Sequence, residues 1–163
     1  MIDAEIRKAA NAVLKACRKS GLMLATAESC TGGLVAAALT EIAGSSAVVE
    51  RGFVTYSNDA KHALLGVSRS TLKTQGAVSA KTAAAMARGA LAHAPVDLAV
   101  SITGIAGPGG GSPDKPVGLV HFAAAARDGR LIQHEARYGK IGRTKVRRAS
   151  VLQALAMLRE LAR

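Results

Sequence analysis

Stretches whose apolar residues recur at helical spacing alternate along this chain with short β-rich runs, and that alternation restricts the possible fold more than any other feature. Asp3 to Lys19 repeats Ile6, Ala9, Ala10, Val13, Leu14 and Cys17 at helical spacing, and Gly21 is placed to stop the helix. Leu22 to Thr26 then reads as a strand, Ala27 to Gly33 as a polar junction, and Leu34 to Ile42 as an alanine-rich helix. Ala47 to Tyr56 is a second β-rich run, and the Ser57-Asn58-Asp59 cluster is suited to cap a helix over Asn58 to Leu65, ended by Gly66. Ser79 is placed to cap a helix running through Ala92, after which Pro95 breaks the pattern. Asp97 to Thr103 is a compact apolar strand. Gly118 to Ala126 and Leu131 to Tyr138 flank Asp128-Gly129, a strong hairpin signal, and Arg143 to Leu161 closes the chain as an amphipathic helix.

This order predicts an α/β fold: a three-layer α/β/α sandwich with a mixed, mostly parallel sheet. The 163 residues suit one domain over 1–163. Apolar residues make up 49% of the chain but aromatics only 2%, so the interior must be filled by alanine, valine, leucine and isoleucine. Helices can then approach one another and the sheet closely. Gly104 to Gly118 holds six glycines and three prolines, too many for a packed element, and lies between strong strands, so an ordered loop is expected rather than a linker. Cys17 and Cys30 make no disulfide framework. No leader pattern or membrane-length apolar run is visible, so the expected location is cytoplasmic, without membrane association.

The net charge of +11 favours anionic partners such as phosphate esters, nucleotides or nucleic acid. Arg127, Arg130, Arg137, Lys140, Arg143, Lys145, Arg147 and Arg148 face only Asp128 and Glu135 in the same stretch. A solvated basic face is one reading; a nucleotide- or nucleic-acid-binding regulatory module without catalysis is another. The scarcity of aromatics removes stacking platforms for single strands.

Several residues could carry chemistry. Ser29 stands at a strand-to-helix junction ahead of Thr31-Gly32-Gly33, where free backbone N–H groups could hold a phosphate or an oxyanion. Spacing alone fits it as an N-cap or as a nucleophile. Tyr56 and Lys61 straddle a strand end and the first turns of a helix, so both could reach one cleft. A lysine whose pKa is lowered by burial or by neighbouring positive charge can act as base toward a serine, with a tyrosine relaying the proton; an ordinary exposed lysine fits the same spacing. Cys30 is the rival nucleophile, with His62, next to Lys61, the only near candidate among the histidines as its partner, or a small buried side chain. The run Thr103-Gly104-Ile105-Ala106-Gly107-Pro108 leaves a strand end with a chain of backbone donors that could bind phosphate or carboxylate. It lacks the lysine and hydroxyl of a nucleoside-triphosphate loop. Arg143 could clamp a phosphate or stand solvated at a helix start. No residue set has metal-ligand spacing, and neither metal nor cofactor is expected.

Taken together, Thr26 to Gly33, Tyr56-Ser57-Asn58 with Lys61, Gly76 to Ser79, and Thr103 to Pro108 with Lys115 to Gly118 resemble the CinA carboxy-terminal domain family over nearly the whole chain. That resemblance implies a nicotinamide-nucleotide amidohydrolase, converting nicotinamide mononucleotide to nicotinic acid mononucleotide and ammonia in pyridine-nucleotide recycling. It also implies roles: Ser29 as nucleophile, Lys61 as general base and Tyr56 as proton relay. Substrate would be bound by Thr31, Gly32, Gly33, Thr103, Gly104, Gly107 and Arg143. Many relatives carry Asp where this chain has Gly142. The resemblance further implies a homodimer or higher homo-oligomer, with nicotinamide mononucleotide rather than nucleic acid as the partner.

Overall fold

The structure, a computed structural model, describes residues 2–163. In chain order the elements are α1 (Ala4–Ser20), β1 (Leu24–Glu28), α2 (Leu34–Thr40), β2 (Val49–Val54), α3 (Asn58–Leu65), α4 (Arg69–Gln75), α5 (Ala80–His93), β3 (Leu98–Gly104), β4 (Leu119–Ala126), β5 (Leu131–Arg137) and α6 (Arg143–Leu161). A short 3₁₀ turn at Ser45–Ala47 precedes β2. The five strands form one mixed sheet in the order β2-β1-β3-β4-β5. β1 pairs in parallel with β2 and β3, while β4 pairs antiparallel with β3 and β5, so four strands point one way and only β4 opposes them.

Alternation along the strands divides the core. Leu24, Leu98, Val100, Ile102, Val120, Phe122 and Ala124 meet α1, α2 and α6 on one face. On the other face Ala25, Ala27, Ala99, Ser101, Ala123 and Ala125 meet α5 and the segments around it. This second face is almost entirely alanine, so α5 lies close against it. Ser101 Oγ donates to the Ala83 carbonyl of α5 at 2.6 Å, a bond from strand to helix that only a short gap permits. A Cβ on Gly89 would stand 2.0 Å from the Leu65 carbonyl oxygen of α3. The expected shortage of bulky side chains is thus met by bringing backbones together.

The expected sandwich and mixed sheet are found. Differences lie at the ends of elements and at α4. β1 begins at Leu24 and runs to Glu28, two residues later than expected, because residues 24–28 are all buried and their backbone pairs with both neighbours. α4 had no expectation: only Leu72 of its seven residues is buried, so its sequence carries no apolar stripe, and Ser68 starts it by accepting from the Thr71 N–H.

Candidate functional site

The register of the parallel strands assembles the site. Glu28 pairs with Val54 on one side and Ile102 on the other, so the chain leaves β1, β2 and β3 side by side at their carboxyl ends, where α/β sheets bind ligands. Ser29 follows β1, Thr55 and Tyr56 follow β2, and the glycine-rich loop follows β3. The Ser29 N–H donates to the Ile102 carbonyl at 2.9 Å, and the Thr55 N–H to the Glu28 carbonyl at 2.8 Å, which extends both pairings into the junctions.

Lys61 is delivered by α3. Ser57 caps that helix, accepting from the Ala60 N–H at 3.0 Å, and Lys61 shares its buried face with Leu65 one turn later. The lysine is only 2% exposed. Its Nζ lies 2.9 Å from Ser29 Oγ and 2.8 Å from the Thr55 carbonyl oxygen. Among the described residues no carboxylate lies within salt-bridge distance of it. Burial therefore lowers its pKa below the ordinary lysine value, because the charged form loses hydration without gaining a counter-ion. A neutral amine has two N–H groups and one lone pair. One N–H can serve the Thr55 carbonyl while the lone pair accepts the Ser29 proton, which is the geometry of a serine nucleophile with its base.

Cys30 has the opposite character. Its thiol is buried, and desolvation pushes its pKa up to about 12, so the thiolate is disfavoured. His62 does not reach it: His62 is exposed, and its Nδ1 lies 2.9 Å from the Val67 carbonyl oxygen.

A cleft of about 270 Å³ opens over Ser29 and Cys30, walled by Tyr56, Arg143 and the loop from Gly104 to Gly110. Tyr56 is exposed, and its hydroxyl accepts from Arg143 Nη2 at 2.9 Å, while Arg143 Nη1 donates to the Gly107 carbonyl at 2.9 Å. Two of the five guanidinium donors are thus used within the cleft wall. Gly142, at the start of α6, makes no side-chain cap. Gly104, where β3 ends and this wall begins, lies tight against its partner strand β4: a Cβ there would stand 2.7 Å from Val120 Cγ2 and 2.8 Å from the Leu119 carbonyl oxygen.

Ser29, Lys61, Tyr56, Gly104, Gly107 and Arg143 are brought together. Thr31, Gly32, Gly33 and Thr103 are placed differently. The side chains of Thr31 and Thr103 are buried, and Thr103 Oγ1 donates to the Ala77 carbonyl at 2.7 Å. The Gly32 N–H closes a turn onto the Ser29 carbonyl at 2.9 Å. Of the donors expected to be free at Thr31-Gly32-Gly33, that of Gly33 is taken, with two in the first turn of α2, by a residue that sequence reasoning passed over. Fully buried Glu28 accepts from the N–H groups of Gly33, Val35 and Ala36 at 2.9 to 3.1 Å. A carboxylate at the end of a strand, directly before a helix start, was the available signal, since such ends attract negative charge.

The basic stretch also resolves into contacts. Arg127 donates to the carbonyls of Leu91, Ala94 and Val96, closing the end of α5. Arg130 pairs with Asp128, Arg137 with Glu135, and Arg148 with Asp3 and Glu5. Arg143 and Arg147 turn toward the site. No described helix is long and apolar enough to cross a membrane.

The family model of the CinA C-terminal domain matches residues 6–162. The chain belongs to that family. Among curated relatives, it is 51% identical to the nicotinamide-nucleotide amidohydrolase PncC of Enterobacter agglomerans over 89% of this chain and 88% of that protein. It is 50% identical to the protein of the same name from Escherichia coli strain K12, over 97% of this chain and 95% of the relative. Among solved structures, the competence/damage inducible protein CihA from Agrobacterium tumefaciens superposes with a TM-score of 0.98 at 58% identity, covering 100% of this chain and 99% of that one.

Proposed function

We propose that this member of the CinA C-terminal domain family is a nicotinamide-nucleotide amidohydrolase that cleaves the carboxamide of nicotinamide mononucleotide to nicotinic acid mononucleotide and ammonia, as a step in pyridine-nucleotide recycling. The names of its relatives support the reaction class. The observation that carries the mechanism is the buried Lys61 amine, without a carboxylate partner among the described residues, 2.9 Å from the Oγ of Ser29, which lines the cleft. Ser29 Oγ attacks the carboxamide carbon as Lys61 takes its proton. Collapse of the tetrahedral intermediate breaks the C–N bond, and the proton held on Lys61 goes to the leaving nitrogen, with Tyr56 assisting across the cleft, so ammonia departs. Water then adds to the nicotinoyl ester, Lys61 accepts its proton, and Ser29 is regenerated. Arg143 keeps unused guanidinium donors for the anionic part of the nucleotide.

The test is ammonia release by purified protein from nicotinamide mononucleotide beside free nicotinamide. Release is expected from the nucleotide and not from the base, to be lost in Ser29→Ala and retained in Cys30→Ala. No release above background from any of a panel of pyridine nucleotides would sink the reading, and the reverse mutational outcome would move the chemistry to Cys30.

A further inference from the structure

The start of α6 is built against its own local electrostatics. A helix amino terminus favours acidic residues, yet the first turns of α6 carry Arg143, Lys145, Arg147 and Arg148, contain no acid in the first turn, and begin at a glycine with no side-chain cap. Where a local preference is overridden in this way, the residues concerned usually serve something outside the element. Arg148 is accounted for by Asp3 and Glu5. Arg143 belongs to the cleft wall.

Arg147 lies one turn after Arg143, half-buried, and reaches the chain that carries the nucleophile. Its Nε donates to the Cys30 carbonyl and its Nη2 to the Thr31 carbonyl, both at 3.1 Å. Those are the two central carbonyls of the tight turn that opens at Ser29 and closes with the Gly32 N–H on the Ser29 carbonyl. The turn is otherwise secured at its edges. The Ser29 N–H is held by β3, and just beyond the turn Glu28 grips the N–H groups of Gly33, Val35 and Ala36. In the middle of the turn, the Thr31 carbonyl also accepts from the Leu34 N–H at 3.2 Å, whereas among the described residues the Cys30 carbonyl is held by the guanidinium alone.

We infer that Arg147 is a positioning residue for Ser29: by holding both central carbonyls of the Ser29–Gly32 turn in a planar two-point grip, it fixes the backbone from which Oγ meets Lys61 Nζ. The inference rests on the proposed serine chemistry for its kinetic consequence but not for its structural one. A planar guanidinium serves two acceptors in fixed geometry, whereas an ammonium acts as a point charge on one, so Arg147→Lys recovers only part of the effect. Small displacements of a reacting atom cost rate far more than they cost binding.

The experiment compares Arg147→Met, Arg147→Lys and Arg148→Met. The last removes two ion pairs from the neighbouring residue of the same helix without touching the turn. Expected for Arg147→Met is a fall in kcat of about 10- to 100-fold with KM changed by less than about threefold, a partial return in Arg147→Lys, and wild-type kcat in Arg148→Met. Hydrogen exchange of residues 29–33 is expected to speed up in Arg147→Met and not in Arg148→Met, with the strands unchanged. A kcat in Arg147→Met no lower than in Arg148→Met, or unaltered exchange over 29–33, overturns the inference. If the wild-type protein releases no ammonia from any pyridine nucleotide, the proposed function fails, and the exchange comparison alone decides the role of Arg147.

Discussion

In the proposed reaction Lys61 concentrates the chemistry, because it is a basic group buried where a cation is unwelcome. With the folded-state pKa below the ordinary lysine value and the unfolded value unshifted, the unfolded chain binds more protons between the two. The stability of the folded protein therefore rises with pH across that window and is flat below it with respect to this group. Lys61→Met removes the rise, a difference that chemical denaturation at a series of pH values would detect. The same titration governs activity, since only the neutral amine can accept the Ser29 proton. Ammonia release by the wild type is expected to climb with pH along an acid limb that lies below the ordinary lysine range. Lys61→Met is expected to lose roughly a hundredfold to ten-thousandfold in kcat. A methionine variant that kept both its rate and its pH dependence would exclude Lys61 as the base.

At the scale of elements, what could be read from the sequence depended on whether an element is defined by its own pattern or by its neighbours. α3 begins and ends where its capping residues Ser57 and Gly66 place it, and α6 follows its apolar spacing although it starts without a side-chain cap. The site was legible in part for the same reason: Lys61 and Leu65 share a helix face, which hints that the lysine points inward, but only the tertiary structure brings Ser29 to it. Arg147 was not legible as a site residue, because the carbonyls it holds lie 117 and 116 residues away along the chain, whereas Glu28 carried a local signal as a carboxylate shortly before a helix start. Thr31 and Thr103 entered through the family resemblance, and the structure buries both side chains beside the cleft rather than in its wall. α5 shows why the alanine-rich composition matters. A Cβ at Gly89 would collide with the α3 backbone at Leu65, and backbone cannot swing aside as a long side chain can. Gly89→Ala is expected to destabilise the protein by about 3 kcal/mol or more, despite alanine's higher helix propensity, lowering Tm by roughly 6 to 12 °C. An unchanged Tm would mean that α3 and α5 separate without cost, contrary to the close packing described.

Over the whole molecule the charge of +11 remains the feature that most resembles a nucleic-acid-binding protein, and the structure weakens that reading without removing the charge. Nonspecific binding to duplex DNA requires basic side chains free to replace condensed counter-ions along a contiguous track. In the stretch from Arg127 to Arg148, six of the eight basic side chains donate to carbonyls, carboxylates or the Tyr56 hydroxyl within the protein. Breaking those contacts would set a cost against each phosphate gained. Only Phe53, Tyr56, Phe122 and Tyr138 are aromatic, and Phe122 is buried, which leaves little for stacking on exposed bases. The charge instead favours small anionic substrates through long-range attraction, an effect on encounter rate that salt weakens. A short DNA duplex is therefore expected to bind with Kd weaker than about 1 μM at physiological salt, within the nonspecific range. Raising salt should lower kcat/KM for nicotinamide mononucleotide modestly while leaving kcat unchanged. Sub-micromolar duplex affinity with a salt slope equivalent to about six or more neutralised phosphates would favour the regulatory-module reading instead, since that many contacts would require the arginines of this stretch to leave their internal partners.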